Sequence, residues 1–257
     1  MTRALLIMGP TASGKSALAL AVAEKHDGEI VNADSMQAYR DLRVLSARPS
    51  ADEEARARHH LYGHVDASVR HSAGMWLDDV TKTVAEIAAR GRLPIIVGGT
   101  GLYFKVLTEG LSPAPAGSPA VRAALQALLD AEGPAGLHNR LTARDPDAAA
   151  RIRPSDPARL IRALEVLDSG GATAALLEKE PPRLTHWAGL ALTPPREALY
   201  AAINTRFDAM MAEGALEEVK ALLARRLDWS LPAMKAHGMP PLSAYLDGKI
   251  SPAAAVE

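Results

Sequence analysis

Cysteine is absent from the 257-residue chain, which removes disulfide frameworks, thiolate zinc sites and cysteine nucleophiles together. Any chemistry must use other groups. Aromatic residues are scarce, at 4%, and Trp76, Trp187 and Trp229 stand isolated in the sequence, where they read as core residues. Neither sign of charge is in excess: 29 Lys and Arg against 30 Asp and Glu give a formal net charge of −1. That argues against a uniformly basic nucleic-acid coat and leaves local patches open. Long hydrophobic runs are missing too. Uncharged stretches such as Leu93 to Phe104 end after roughly 12 residues, short of the ~18 of a transmembrane helix, so no membrane association is expected. The apolar run within Met1 to Pro10 is too short for a signal peptide and leads into a turn, so a cytoplasmic protein is expected.

What is present is an ordinary globular composition, 48% hydrophobic and 23% charged, enough for one domain or a core with a smaller insert. Ala4 to Met8 reads as a strand, followed by a Gly-containing turn and an Ala/Leu-rich helix over Ser16 to Lys25. Glu29 to Asn32 reads as a second strand, Ser72 to Arg90 as an amphipathic helix, and Leu93 to Val97 as a buried strand ending in Gly98-Gly99. Such alternation implies a parallel, doubly wound sheet with ligands at the carboxyl ends of its strands. After Leu111 the character changes: Ser112 to Pro119 is a linker by composition. The following segment is Ala- and Arg-rich and helical in period, with helix starts at Ser118-Pro119 and Ser155-Asp156-Pro157. Pro181-Pro182 closes it, Trp187 to Leu192 reads as a strand returning to the sheet, and a helix opens at Pro194-Pro195. The tail from Pro232 to Glu257 is short and Pro-punctuated.

Gly9, Pro10, Thr11, Ala12, Ser13, Gly14, Lys15 and Ser16 fit the phosphate-loop pattern G-x-x-x-x-G-K-[ST], between a predicted strand and a predicted helix. Backbone N–H groups at the helix N-terminus would cradle phosphate oxygens, Lys15 would neutralise charge and the Ser16 hydroxyl is placed to ligate Mg²⁺. The pattern specifies a di- or triphosphate and leaves the reaction open. The expected fold is therefore α/β, a P-loop NTPase-like parallel sheet flanked by helices. Residues 1–113 and 186–257 form its core, and an all-helical insert spans 114–185.

A phosphoryl-transfer enzyme of this kind usually carries an Asp after a second apolar strand to help hold Mg²⁺. Here Leu93 to Val97 is followed by Gly98-Gly99-Thr100-Gly101-Leu102-Tyr103, with no carboxylate. The segment suits a site that receives phosphate oxygens through the Thr100 hydroxyl and nearby N–H groups, or a plain glycine turn with Thr100 as helix N-cap. The carboxylate that is present is Asp34, in Asn32-Ala33-Asp34-Ser35-Met36-Gln37-Ala38-Tyr39. It would face the phosphate loop and could serve as a general base, with Gln37 able to read a base edge, or it could cap the next turn. Between Arg140 and Arg162 lie six Arg (Arg140, Arg144, Arg151, Arg153, Arg159, Arg162) against three Asp (Asp145, Asp147, Asp156). This local excess suits phosphate and stacked bases, or a solvated helix surface with ion pairs. His59 and His60 lack the i, i+4 spacing of a helical metal site, which favours packing. Tyr39 and Tyr103 could line a pocket or pack.

Taken in order, Gly9 to Ser16, Asp34 to Tyr39, His59-His60-Leu61, Gly98 to Tyr103, Asp156 to Val166 and Asn204 to Gly214 resemble the tRNA dimethylallyltransferase (tRNA isopentenyltransferase) family. The resemblance covers nearly the whole chain. It implies transfer of a dimethylallyl group from dimethylallyl diphosphate to N6 of adenosine-37, next to the anticodon of tRNA, with Mg²⁺ and release of diphosphate. A phosphate loop that binds a leaving diphosphate would explain the missing acid. By this resemblance Asp34 takes the proton from N6, while Lys15, Ser16, Thr100 and Arg206 stabilise charge on the diphosphate and Thr11, Ala12 and Ser13 surround it. The tRNA anticodon stem-loop, its target base taken out of the stack, would be met by Asp34, Ser35, Met36, Gln37 and Thr100. In the insert it would be met by Arg122, Ala158, Arg159, Leu160, Ile161 and Arg162. A monomer is expected.

Two departures stand out. Family members usually continue past Tyr245-Leu246-Asp247-Gly248 into a helix ending in a basic, aromatic motif, which this sequence lacks; and Met234 to Pro241 replaces the expected Gly-Tyr-Lys/Arg-Glu type pattern. The rival readings are an ATP-binding small-molecule kinase, an isopentenyltransferase acting on free adenine nucleotide, and a nucleotide-binding switch without catalysis. The first lacks the second-strand acid, and the Arg-rich insert argues against the second.

Overall fold

A computed structural model describes residues 3–115, 117–251 and 254–255. Met1 and Thr2 ahead of the first strand, Ala116 of the linker, and 252–253 and 256–257 of the tail lie outside the described residues. The chain divides into two compact units, Met1–Thr108 with Arg183–Glu257, and Glu109–Pro182.

The first unit is built on a five-stranded, wholly parallel sheet in the order β3-β2-β4-β1-β5, from β1 (Ala4–Met8), β2 (Gly28–Asn32), β3 (His59–His60), β4 (Leu93–Gly98) and β5 (Trp187–Ala191). Parallel pairing needs crossovers, here supplied by α1 (Lys15–His26), α2 (Ala51–Arg56) and α3 (Ala73–Ala89). Leu5 and Ile30 both stand opposite Ile95, so the period-2 pleat puts Ile7, Ile30, Ile95 and Val97 on one face, packed with Ala19, Leu20 and Ala23 of α1. Leu6, Val31 and Ile96 point the other way and are equally buried, on the face that α3 covers. α2 is fixed by a capping box between Ser50 and Glu53. After α4 (Gly101–Glu109) and β5, helices α8 (Arg196–Ala212), α9 (Ala215–Ala224) and α10 (Met239–Leu246) complete the unit. Val219, Leu222, Met239 and Leu242 close a second cluster around Tyr39, Leu42 and Val65.

The second unit contains α5 (Pro119–Arg144), α6 (Pro146–Arg151), α7 (Pro157–Asp168) and a 3₁₀ turn at Thr173–Leu176. Each of the three helices opens with proline behind a side-chain cap, Ser118, Asp145 or Asp156, whose oxygen accepts a backbone N–H. α5 kinks where Gly133 (φ 68°) precedes Pro134. Leu125, Leu137, Leu141, Leu160, Ile161 and Leu164 form the core, beside a buried Glu165 whose charge is met by Arg122 at 2.7 Å. Among the described residues, no helix is long and apolar enough to cross a membrane.

The expectation that all three tryptophans are core holds only for Trp76, which is fully buried, stacks on Tyr103 at 4.2 Å and donates its indole N–H to Asn32 O at 2.9 Å. Trp187 and Trp229 are 49% and 48% exposed. Among the described residues β5 lies at the sheet edge, paired with β1, and Trp229 sits in a turn after α9.

The carboxyl ends of β2 and β4 meet backbone to backbone, since a Cβ built at Gly98 would lie 2.1 Å from Ala33 O. A carbonyl cannot move away as a flexible side chain would. Gly98→Ala is therefore expected to destabilise this unit by about 2 kcal/mol or more, read as a lowered urea midpoint. An unchanged midpoint would contradict the close approach.

Candidate active site

Between β1 and α1 the chain turns through two left-handed residues, Ala12 (φ 61°) and Gly14 (φ 83°). Glycine adopts this conformation readily, while a residue with a Cβ is strained by ~1–2 kcal/mol, so Ala12 stores strain in the loop. α1 has no acidic residue in its first turn, which leaves the positive end of its dipole unscreened. The Lys15 ammonium donates to Pro10 O at 3.0 Å. Burial lowers its pKa, with Asp34 opposing and Arg206 adding to the fall. Ser13 Oγ is buried with no hydrogen-bond partner among the described residues, and Ser16 is exposed one position after Lys15.

Across the strand ends, Thr100 N–H donates to Ala33 O at 3.2 Å, and Thr100 Oγ1 accepts the Ser35 N–H at 3.0 Å. Its side chain thus ties the two loops together, where the sequence had left open a cap on α4. Asp34 is fixed on both sides. Asn32 Oδ1 accepts its N–H at 2.8 Å and Asn32 Nδ2 donates to its carbonyl at 2.8 Å, while Asp34 Oδ1 accepts the Met36 N–H at 3.0 Å. One carboxylate oxygen therefore caps the turn, and Oδ2 is directed toward Gly99, 3.8 Å from where a Cβ would stand. Arg206, on α8, has its pKa lowered by burial, with Asp34 and Glu53 opposing. Lys15 and Arg206 are thus two half-buried cations that both lie within electrostatic reach of Asp34, with Glu53 also near Arg206.

Other residues singled out from the sequence have different roles. Gln37 donates its amide hydrogens to Ser46 O at 2.9 Å and Ala47 O at 3.0 Å, so it anchors a loop and has only its oxygen left for a base edge. Tyr39 and Tyr103 are buried and packed. His60 Nε2 lies 2.6 Å from Glu29, which also takes Arg90 at 2.7 Å. The Arg90 guanidinium, with help from His60, holds the Glu29 carboxyl down to about 2 against its burial. This half of the histidine pair is structural.

His59 faces a cavity of about 600 Å³ lined also by Ser16, Arg43, Arg48, Tyr62, Arg206 and Met210. The sequence reading missed the walls that come from the irregular stretch 43–50 and the start of α2. One acid organises that stretch: Glu218, in the first turn of α9, accepts the N–H groups of Arg43 and Val44 on Oε2 (2.7 and 2.8 Å) and of Leu45 on Oε1 (2.9 Å).

In the helical unit, the side chains of Leu160 and Ile161 are buried in its core. On a helix that presents Ala158 and Arg159 outward, the next two side chains turn inward. Arg122 is paired with Glu165, Arg162 donates to Pro115 O and Ala114 O at 2.8 Å, Arg144 pairs with Asp168 and Arg159 with Asp156. Arg140, Arg151 and Arg153 are exposed and form no ion pair within 4 Å among the described residues.

The model of a family described as IPP transferase matches residues 37–257. The chain belongs to this family. It is 54% identical over 252 residues to the tRNA dimethylallyltransferase of Nitrobacter hamburgensis, covering 96% of this chain and 80% of that one, and 55% identical over 251 residues to that of Methylocella silvestris, covering 96% and 83%. Among solved structures, the full-length tRNA isopentenylpyrophosphate transferase of Bacillus halodurans is 33% identical, with a TM-score of 0.69 over 100% of this chain and 81% of that one. A eukaryotic dimethylallyltransferase acting on tRNA is 26% identical, with a TM-score of 0.81 over 97% of this chain and 64% of that one. These neighbours share the P-loop NTPase-like fold. The family match begins at Gln37, and the Bacillus halodurans superposition spans the phosphate loop and Asp34 as well.

Two outcomes are expected of an IPP transferase built this way. The depressed carboxyl of Glu29 contributes stability that is present above its unfolded value near 4.5 and lost as pH falls through about 2. The stability difference between wild type and Glu29→Gln should therefore shrink from ~3 kcal/mol near neutrality toward zero in acid, and a pH-independent difference would be contrary. Glu218→Ala should raise amide hydrogen exchange at residues 43–45 by about tenfold or more, as three N–H groups lose a charged acceptor. Unchanged exchange there would show that Glu218 does not hold the loop.

Proposed function

We propose that the protein transfers a dimethylallyl group from dimethylallyl diphosphate to N6 of adenosine-37, next to the anticodon of tRNA. The observation that carries this reading is the placing of Asp34 near Lys15 and Arg206, two half-buried cations, at strand ends where β4 is followed by Gly99 and Thr100 and no acid. Two cations held partly out of water beside the phosphate loop favour a polyanionic guest. The absence of an acid after β4 suits chemistry at carbon better than at phosphorus.

In the step this supports, the N6 lone pair attacks C1 of the dimethylallyl group as the C1–O bond breaks and the electron pair leaves with diphosphate. Asp34 takes the proton from N6, which its Asn32 and Met36 contacts orient it to do. The α1 N-terminus, Lys15 and Arg206 stabilise the charge that grows on the departing diphosphate, a preorganised electrostatic role. The residues present fit Mg²⁺: the exposed Ser16 hydroxyl is a hard oxygen donor at the mouth of the phosphate loop, and a small cation takes its other ligands from substrate oxygens and water. Bound there, Mg²⁺ would neutralise diphosphate charge. The exposed Arg140, Arg151, Arg153 and Arg159 suit the phosphates of an anticodon arm.

The test is incubation with Mg²⁺, dimethylallyl diphosphate and unmodified tRNA, followed by nucleoside mass analysis. A prenyl mass gain on adenosine is expected, with Asp34→Ala slower by roughly 10²–10⁴ while tRNA binding persists. ATP consumption with a phosphorylated product would favour a kinase, and an Asp34→Ala variant as fast as wild type would remove Asp34 as base.

A further inference from the structure

Two histidines of the loop that follows β3 and an aspartate of α3 come together, three side chains that the prenyl-transfer reading does not use. His71 is buried, its side chain only 2% exposed, yet neither ring nitrogen has a good hydrogen bond. Nδ1 has no partner among the described residues, and Nε2 lies 3.4 Å from Asp79 Oδ2. The same carboxylate oxygen lies 3.4 Å from His64 Nε2, and the His64 and His71 rings stand edge to face at 5.5 Å. Normal N–H···O bonds run ~2.7–3.2 Å, so both Nε2···Oδ2 contacts are long for hydrogen bonds and leave room for an ion between these atoms, whereas the orphaned Nδ1 lies on another edge of the ring and is not one of the donor atoms.

The spacing fits a metal better than it fits hydrogen bonds. Tetrahedral zinc with bonds of about 2.0–2.1 Å places neighbouring ligand atoms ~3.3–3.4 Å apart, the separation found on two edges here, and all three donor atoms lie within 4.8 Å of one another. His64 and Asp79, with side chains 30% and 43% exposed, give an ion access from solvent and room to adjust. Two imidazoles and one carboxylate select a borderline transition metal over Mg²⁺.

We propose that His64, His71 and Asp79 bind a zinc-class divalent cation, with water completing the coordination, and that the ion staples this loop to α3. Gly63 N–H and Val65 N–H, on either side of His64, donate to Gln37 O (2.9 Å) and Ala38 O (3.0 Å), and Arg40 N–H donates back to Val65 O (2.9 Å). A tie at His64 therefore also stiffens the segment that continues from Asp34.

The experiment uses the full chain without an affinity tag, stripped with chelator, and titrated calorimetrically with Zn²⁺ in excess Mg²⁺; Co²⁺ is then added as a spectroscopic probe. Because His71 is buried and its removal leaves a cavity, the variants are His64→Ala and Asp79→Asn. One Zn²⁺ per chain is expected, with a raised Tm, a visible Co²⁺ absorption of low coordination number, and binding weakened about tenfold or more in each variant. No saturable binding, or binding unchanged in both variants, would overturn the proposal.

Discussion

Asp34, Ser35 and Thr100 can meet only because β4 ends in bare backbone at Gly98. With no side chain at Gly98, Ala33 O comes close enough to accept the Thr100 N–H, and the Thr100 hydroxyl then reaches the Ser35 N–H. Asn32, fully buried, ties Asp34 to Leu61 through one amide and receives the Trp76 indole on its own carbonyl. The carboxylate is held by its neighbours on the sheet and by α3, so its position depends on core packing as much as on the loop that carries it.

The charges follow from that placement. Burial lowers the pKa of both Lys15 and Arg206, and the nearby carboxylates, Asp34 for both and Glu53 for Arg206, offset only part of it. A diphosphate would supply the missing negative charge, then carry it away as the leaving group. The helix dipole and the strained phosphate loop are set before any ligand arrives, so the reaction need not reorganise them. Glu218 acts at one remove, fixing the backbone from Arg43 to Leu45 and with it one wall of the cavity.

Much of this was legible in the sequence because it rests on local patterns. The strands β1, β2 and β4 are short apolar runs, Ser118 and Asp156 announce helices by capping ahead of proline, and the phosphate loop declares itself by spacing. What stayed hidden depends on distant partners. Glu218 looks like any acid in a first helical turn, yet its partner Arg43 is 175 residues away. β3 is only two residues long and exists through pairing with β2. Trp187 reads as core because it stands isolated in the sequence, whereas it lies on the edge strand and is half exposed. Leu160 and Ile161 were carried with their neighbours as one surface, although the helical period separates them.

The central claim is that the phosphate loop holds a leaving group whose phosphorus is never attacked. The most direct measurement uses dimethylallyl diphosphate labelled with ¹⁸O at the oxygen bridging carbon and phosphorus, turned over with tRNA. Cleavage between carbon and oxygen predicts all of the label in released diphosphate. Label retained on a prenyl alcohol would mean attack at phosphorus and would contradict the account.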